Sequence, residues 1–135
     1  CIRDSHRYQA TLRTCFTLEN FDNLIKNGRM RPIVGTLLRS LGIHIIADAT
    51  AEGTIHVADK ARGVGKTYRA ITALMKASKD CTDAEVVISH CENLEGAMAL
   101  KRQILADLPV KQVDLLSCRG LTSFYAMEKG LIVGY

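Results

Sequence analysis

The fold is decided by residues 41–66, which read LGIHIIADATAEGTIHVADKARGVGK. Two runs rich in β-branched residues, Ile43 to Ala49 and Thr54 to Ala58, are separated by a short stretch centred on Gly53. Such runs on either side of a glycine predict two antiparallel strands joined as a β-hairpin. The basic residues that follow the hairpin are predicted to open the next helix, which begins near Val64.

Strands and helices alternate through the rest of the chain. The β-branched run Val86-Val87-Ile88 is typical of a strand with partners on both sides. The predicted order begins with a polar segment at 3–7 that leads into a short helical stretch, a strand over 14–18, and helices over 19–26 and 32–40. After the hairpin come a helix over 64–79, a strand over 84–90, a helix from Asn93 up to Pro109, and strands around 113–115 and over 130–135. This alternation predicts an α/β or α+β fold with a mixed sheet, without giving the order of the strands.

Two of the predicted helices have apolar stripes at helical spacing. The stripe of the helix over 64–79 consists of Val64, Tyr68, Ile71, Leu74 and Met75. The stripe of the later helix consists of Leu94, Ala97, Met98, Ile104 and Leu105. We expect both stripes to be buried against the sheet, with Asn93 as the cap of the later helix.

Composition agrees with one compact domain over residues 1–135. The chain has 135 residues, a net charge of +4 and five cysteines, without a Cys-x-x-Cys pair. A chain of this length can bury a core without disulfides or metals. There is no apolar run of about 18 residues and no signal-like N-terminus, so we expect no transmembrane segment. The odd cysteine count favours reduced thiols and a cytoplasmic location.

Two short patterns resemble a phosphate-binding loop and a metal site, but both are incomplete. Gly63 to Thr67 is similar to the end of a phosphate-binding loop, yet Lys60 stands where that motif needs glycine. A weak anion site at this helix start remains physically reasonable. The run His90-Cys91-Glu92 offers three ligand types, but neighbours on a strand point to opposite faces and cannot meet at one metal ion.

Catalysis, cofactors and nucleic acid are also not predicted. Cys118 lacks an identifiable base or oxyanion hole, so packing explains this residue better than nucleophilic chemistry. The aromatic residues are few and are not interleaved with the basic ones, which leaves single-stranded nucleic acid without its usual stacking platform. We therefore expect no catalytic residue, no metal site, no cofactor and no nucleic-acid partner.

The order of several motifs resembles the second half of the DegV family, which are bacterial fatty-acid-binding proteins. The resemblance is carried by the turn from Leu24 to Met30, the strand from Leu41 to Ile46, the hairpin glycine, Lys60 with Arg62, and the run from His90 to Ala97. It covers almost the whole chain, although Asn27, His44 and Ile45 depart from the family pattern. It implies a two-layer α/β domain, with a mixed sheet of about six strands and helices mainly on one face. It also implies the C-terminal domain of a two-domain protein, whose N-terminal domain is absent from this sequence.

The same resemblance implies a function in ligand binding. Members enclose a long-chain fatty acid between their two domains and present its carboxylate to a separate fatty acid kinase subunit, so the chain is not itself expected to be an enzyme. The expected wall of the acyl chain is formed by Val34, Leu37, Leu38, Leu41 and Ile43. Arg119, near the position of the family's loop histidine, is expected to contact the carboxylate together with Thr122 and Ser123. Because that histidine is absent here, the resemblance does not settle which residue makes the head-group contact.

A second hypothesis assigns the chain to anion binding or protein interaction, without a lipid ligand, and has its basic residues contact a kinase, an acidic protein or nucleic acid. It is based on a basic surface that we expect to dock an acidic partner, most plainly the kinase subunit. The residues of this surface are Lys60, Arg62, Lys66, Arg69 and Lys76. Ordinary core packing is an equally good explanation for any single residue of the expected acyl wall.

Overall fold

The computed structural model describes residues 2–30, 42–50 and 52–135. Its helices are α1 (Ile2–Thr11), α2 (Asp22–Lys26), α3 (Val64–Ser78), α4 (Leu94–Asp107) and α5 (Leu121–Ala126). Its strands are β1 (Thr14–Leu18), β2 (Ile43–Ala49), β3 (Ile55–Arg62), β4 (Glu85–His90), β5 (Gln112–Ser117) and β6 (Leu131–Gly134). The helix expected over 32–40 lies outside the described residues.

All six strands form one mixed sheet in the order β3-β2-β1-β6-β4-β5. The pairs β2/β3, β1/β2, β1/β6 and β4/β6 are antiparallel, while β4 and β5 are parallel. The parallel pair is joined through α4, as a crossover connection requires. The expected α/β fold with a mixed six-stranded sheet is therefore confirmed.

The longer helices α3 and α4 cover one side of the sheet, which we call the α3/α4 face. Ile71 and Met75 of α3 and Leu100 and Ile104 of α4 are fully buried there. They pack with Val86, Ile88 and Val133 of the sheet. Burial of each large apolar side chain contributes about 1.5–3 kcal/mol, so this layer supplies most of the stabilisation that can be assigned to single residues.

The opposite face of the sheet carries a second, smaller cluster of buried residues. It is formed by Leu18, Phe21, Leu24, Met30, Ile45, Ala47 and Ala126. The short helices α2 and α5 lie on this side and are tied together by Asn23, whose Nδ2 donates to the carbonyl of Phe124 at 2.6 Å. Helices thus occur on both sides, but the long ones are on the α3/α4 face.

Several local expectations were wrong. The second hairpin strand continues to Arg62, so Lys60 and Arg62 belong to β3 and not to the start of a helix. In α3 Val64 is exposed, and in α4 Leu94, Met98 and Leu105 are exposed too. The residues of α4 that face the sheet are Ala97, Leu100 and Ile104, so the prediction was right for Ala97 and Ile104 and missed Leu100. The cap is as expected, because Asn93 Oδ1 accepts from the N–H of Gly96 at 3.2 Å.

Candidate functional site

A pocket of about 620 Å³ lies on the opposite face of the sheet. Its floor is made by strand residues, and its sides are made by the end of α2, by α5 and by the tip of the β2/β3 hairpin. The lining residues are Phe16, Leu18, Leu24, Gly28, Arg29, Gly53, Thr54, Ile55, Tyr125, Ala126 and Ile132. This size falls within the range of about 300–1,000 Å³ that small-molecule sites occupy.

The pocket is mainly apolar, and Arg29 is the charged side chain among its lining residues. Gly28 has a φ of +67°, a conformation that glycine adopts without steric cost. This turn lets the N–H of Arg29 donate to the carbonyl of Leu24 at 2.8 Å, which ends α2 and brings Arg29 beside the pocket. An apolar cavity with the guanidinium of Arg29 at its edge suits a ligand with a long hydrocarbon part and an anionic end.

The expected acyl wall is described only in part. Ile43 lies on β2 and packs against the cluster of the opposite face, although it is not among the pocket's lining residues. Val34, Leu37, Leu38 and Leu41 lie outside the described residues. Sequence reasoning missed the residues that do line the pocket, such as Phe16 and Ile132, because they alternate with helix-facing neighbours on short strands and carry no motif.

The expected head-group residues lie around the start of α5. Arg119 precedes the helix, and Thr122 and Ser123 are in its first turn. Arg119 and Thr122 are exposed and Ser123 is half-buried. The three residues are close along one short segment, but the pocket is lined by Tyr125 and Ala126 of the same helix.

The five expected docking residues do not share one surface, although all five are exposed. Lys60 pairs with Ile45 and Arg62 with Ile43 across the hairpin. Paired residues of neighbouring strands point to the same side, and Ile43 and Ile45 belong to the opposite face. Lys60 and Arg62 are therefore on the pocket's side of the sheet.

The other three docking residues lie on α3, in the layer on the far side of the sheet. Lys66, Arg69 and Lys76 recur at spacings of three and seven residues, which places them on one side of the helix. Arg69 and Lys76 also help to lower the pKa of Asp107 on α4, after the larger effect of its hydrogen bonds from Gln103 and Thr72. These three residues form what we call the α3 basic surface.

A second, more polar cleft of about 310 Å³ lies between the N-terminal ends of α3 and α4. It is bordered by His44, Tyr68 and Lys129 and by the carboxylates of Glu19 and Glu95. Burial and these two carboxylates raise the pKa of Tyr68. Its mixed charges make this cleft a poor place for a hydrocarbon chain.

The patterns that resemble known chemistry have structural roles. Gly63 alone connects β3 to α3, and Thr67 Oγ1 donates to the Gly63 carbonyl at 3.0 Å. The side chain of Lys66 is exposed to solvent. His90 is buried, and its Nδ1 accepts from the N–H of Asn93 at 3.4 Å. Within the described part of the chain, no three His, Cys, Asp or Glu side chains are grouped as a metal site.

None of the described helices is long and apolar enough to cross a membrane.

Comparison with known proteins gives a consistent result. Residues 1–131 match the model of the DegV family, which is described as a family of uncharacterised proteins. A DegV domain-containing protein of Streptococcus gordonii is 31% identical over 135 residues, covering 99% of this chain and 47% of the relative. A DegV domain-containing protein of Streptococcus pneumoniae is 34% identical over 129 residues, covering 95% of this chain and 45% of the relative.

Solved structures agree with the sequence relatives. The fatty acid kinase (Fak) B3 protein of Streptococcus pneumoniae, loaded with linoleic acid, has a TM-score of 0.88 and 32% identity, covering 99% of this chain and 47% of that one. A DegV family protein of Ruminococcus gnavus with vaccenic acid has a TM-score of 0.88 and 30% identity, covering 99% and 48%. The chain thus spans about half the length of the proteins it matches.

Proposed function

Because this chain belongs to the DegV family, we propose that it forms the C-terminal half of a protein that binds a long-chain fatty acid. The single observation that carries this proposal is the apolar pocket of about 620 Å³ on the opposite face of the sheet. Similar proteins loaded with linoleic acid and vaccenic acid support the same ligand class. Each methylene removed from water contributes about 0.8 kcal/mol, so an acyl chain needs few polar contacts to bind.

The carboxylate end of the ligand needs cations and hydrogen-bond donors. Arg29 lines the pocket, and Lys60 and Arg62 stand on the same side of the sheet. A hydrogen bond to a charged group contributes about 1.5–3 kcal/mol. We assign Arg29 as a carboxylate contact and retain Arg119, Thr122 and Ser123 as further contacts at the start of α5.

The remaining contacts are assigned to a second domain. In this proposal an N-terminal domain carries serine and threonine side chains that complete the head-group site. A fatty acid kinase subunit then receives the carboxylate, and the acyl-phosphate forms on that partner's nucleotide. The chain itself is a carrier without catalytic residues, and it works in the cytoplasm with reduced thiols. The name of the Streptococcus pneumoniae relative, fatty acid kinase (Fak) B3 protein, supports this partner.

The alternative of an interaction domain without lipid is not favoured. It depended on one continuous basic surface, but two of its five residues lie on the pocket's side of the sheet. The remaining α3 basic surface is compatible with a carrier that docks onto another protein. The position of two basic residues on the pocket's side and of three on α3 thus fits lipid binding together with a partner-binding role.

The proposal is tested by extracting lipid from the purified intact protein and its variants and identifying it by mass spectrometry. Ile132, which is half-buried and lines the pocket, is replaced in Ile132→Glu, which places a charge among hydrocarbon groups. We expect the unaltered protein to carry about one long-chain fatty acid per molecule and the variant to lose it. Thr54→Trp, at an exposed lining position, should reduce binding without disturbing the core.

The matched control is Leu116→Glu. Leu116 is an apolar strand residue that is 55% exposed and does not line the pocket. This control should keep its lipid. Retention of fatty acid by both pocket variants, or its absence from the folded unaltered protein, would contradict the proposed function.

A further inference from the structure

Two cysteines that the proposed function does not use lie side by side at one end of the sheet. The parallel pairing of β4 and β5 ends with His90 opposite Ser117, and the N–H of Cys118 donates to the carbonyl of His90 at 2.8 Å. The ladder therefore continues to the ends of both strands, and the next pair in this register is Cys91 and Cys118.

Both side chains point to the same side of the sheet. Ile88 and Val113 are buried under the long helices, so alternation directs Cys91 and Cys118 to the other side. Both do pack against the cluster of the opposite face. Neighbouring strands lie about 4.8 Å apart. A disulfide requires Cα atoms about 4.4–6.8 Å apart. The register therefore meets the main geometric condition for a disulfide.

The environment of this pair differs from that of the other described cysteines. Cys91 and Cys118 are free thiols of intermediate exposure, whereas Cys15 and Cys81 are free but buried. Burial, with a smaller effect of the Cys91 sulfur, raises the pKa of Cys118. Because both side chains are only partly buried, a small oxidant can reach them from solvent.

We propose that Cys91 and Cys118 are a redox-active dithiol that a hydroperoxide closes to an intramolecular disulfide. The first thiol attacks the peroxide, breaks its O–O bond and becomes a sulfenic acid with release of water or an alcohol. The second sulfur then attacks the sulfenic sulfur, and the S–S bond forms as the S–O bond breaks and the hydroxyl leaves as water with the proton of the second thiol. Two thiols lose two electrons and two protons in total, and the peroxide is reduced by two electrons.

The bond would constrain the segment that contains α5. The N–H of Cys91 donates to the carbonyl of Gly130, and the N–H of Lys129 donates to the carbonyl of Cys91, so Cys91 is fixed to the chain just after α5. Cys118 lies just before α5. A disulfide between them joins both ends of this segment, and reduction releases it.

The proposal is tested on the intact native protein with hydrogen peroxide as oxidant. After oxidation and unfolding in N-ethylmaleimide, we expect two fewer modified thiols and one peptide that links Cys91 to Cys118. Dithiothreitol should restore both. Cys91→Ser and Cys118→Ser should each abolish the linked peptide, whereas the control Cys81→Ser should keep it. A linked peptide that joins other cysteines, or oxidation without any link between these two, would overturn the proposal.

Phenylarsine oxide provides a second measurement that needs no oxidation, because trivalent arsenic binds two neighbouring thiols at once. We expect one arsenical retained per chain through gel filtration, with retention lost in Cys91→Ser and in Cys118→Ser but kept in Cys81→Ser. Retention that is absent, or that survives both single substitutions, would show that the two sulfurs do not act as a pair.

Discussion

Thr17 and Thr72 are both buried, but their hydroxyl groups are in different situations. Thr72 Oγ1 lies 2.8 Å from Asp107 Oδ2 and 3.0 Å from the carbonyl of Arg69. Thr17 Oγ1, beneath the polar cleft, has no hydrogen-bond partner among the described residues. A buried hydroxyl without a partner lowers the stability of the folded protein by about 1–3 kcal/mol. The same substitution at the two threonines should therefore change the stability in opposite directions.

We predict that Thr17→Val stabilises the protein by up to about 1 kcal/mol, because valine keeps the shape and removes the unpaired hydroxyl. Thr72→Val should destabilise it by about 1–2 kcal/mol, because Asp107 loses a donor. Urea unfolding of the two variants measures both free energies. A loss of stability in Thr17→Val as large as that in Thr72→Val would mean that the Thr17 hydroxyl is paired in solution.

Cys15 gives the stability a dependence on alkaline pH. Burial, with a smaller contribution from Asp48, raises the pKa of Cys15 from 9.0 to about 12. Between these values the unfolded thiol ionises while the folded one stays protonated, so stability is fully present below pH 9 and falls as the pH rises. The slope is about 1.4 kcal/mol per pH unit for one such group.

Cys15→Ala removes this contribution, so its stability should decline less steeply than that of the unaltered protein between pH 9 and 11. Tyr135, whose pKa is raised from 10.0 to about 12 mainly by burial and to a smaller extent by Cys15, remains in both proteins, so the burial part of its effect cancels in the comparison. Urea unfolding at several pH values measures the slopes. Between pH 6 and 8 the two curves should run parallel, and parallel curves above pH 9 as well would contradict the assignment.

At the scale of elements, the sequence predicts where most strands and helices lie but not which side of a helix faces the sheet. The apolar residues of α4 are spread widely, and two overlapping stripes can be drawn through them. Ala97, Leu100 and Ile104 face the sheet because the small side chain of Ala97 lets the helix approach it, which leaves Leu94 and Met98 exposed. Periodicity contains no information on that approach. Similarly, Lys60 and Arg62 suggested the start of a helix, although charged residues are usual on an edge strand such as β3.

The α3 basic surface gives a prediction at the same scale. Lys66 and Arg69 are exposed, and the described residues include no ion pair for either, so both charges can be reversed without opening the core. Charges at the rim of an interface mainly set the association rate and its salt dependence. In Lys66→Glu/Arg69→Glu we expect slower association with the proposed kinase partner and a flatter salt dependence, measured by stopped-flow mixing.

The matched control for the α3 basic surface is Arg102→Glu, which reverses an exposed charge on α4. It should change the association rate far less than the double variant. Lipid content and thermal stability should be nearly unchanged in all of these proteins. Loss of lipid with unchanged association kinetics in the double variant would assign the α3 basic surface to the ligand site and not to the partner.

At the scale of the whole molecule, the class of fold followed from the alternation of elements, but the strand order did not. β6, from the end of the chain, lies between β1 and β4, and nothing local in the sequence of Leu131–Gly134 encodes that position. The pocket was unpredictable for the same reason. Its lining combines residues from the start, middle and end of the chain, such as Phe16, Ile55 and Ile132, which only the sheet brings together.

The chain covers 47% of the linoleic-acid-loaded relative, so its affinity for fatty acid can be compared with that of the intact protein. The pocket contacts the hydrocarbon part of the ligand, whereas our proposal assigns part of the carboxylate site to the other domain. Two missing hydrogen bonds to a charged group weaken binding by about 3–6 kcal/mol in total. Calorimetry should therefore show an affinity for fatty acid that is about 10²–10⁴-fold lower for the isolated chain. A primary alcohol of equal chain length lacks the carboxylate, so its affinity should differ less between the two proteins than that of the fatty acid. If the fatty acid showed no greater difference than the alcohol, the carboxylate site would have to lie wholly within this chain.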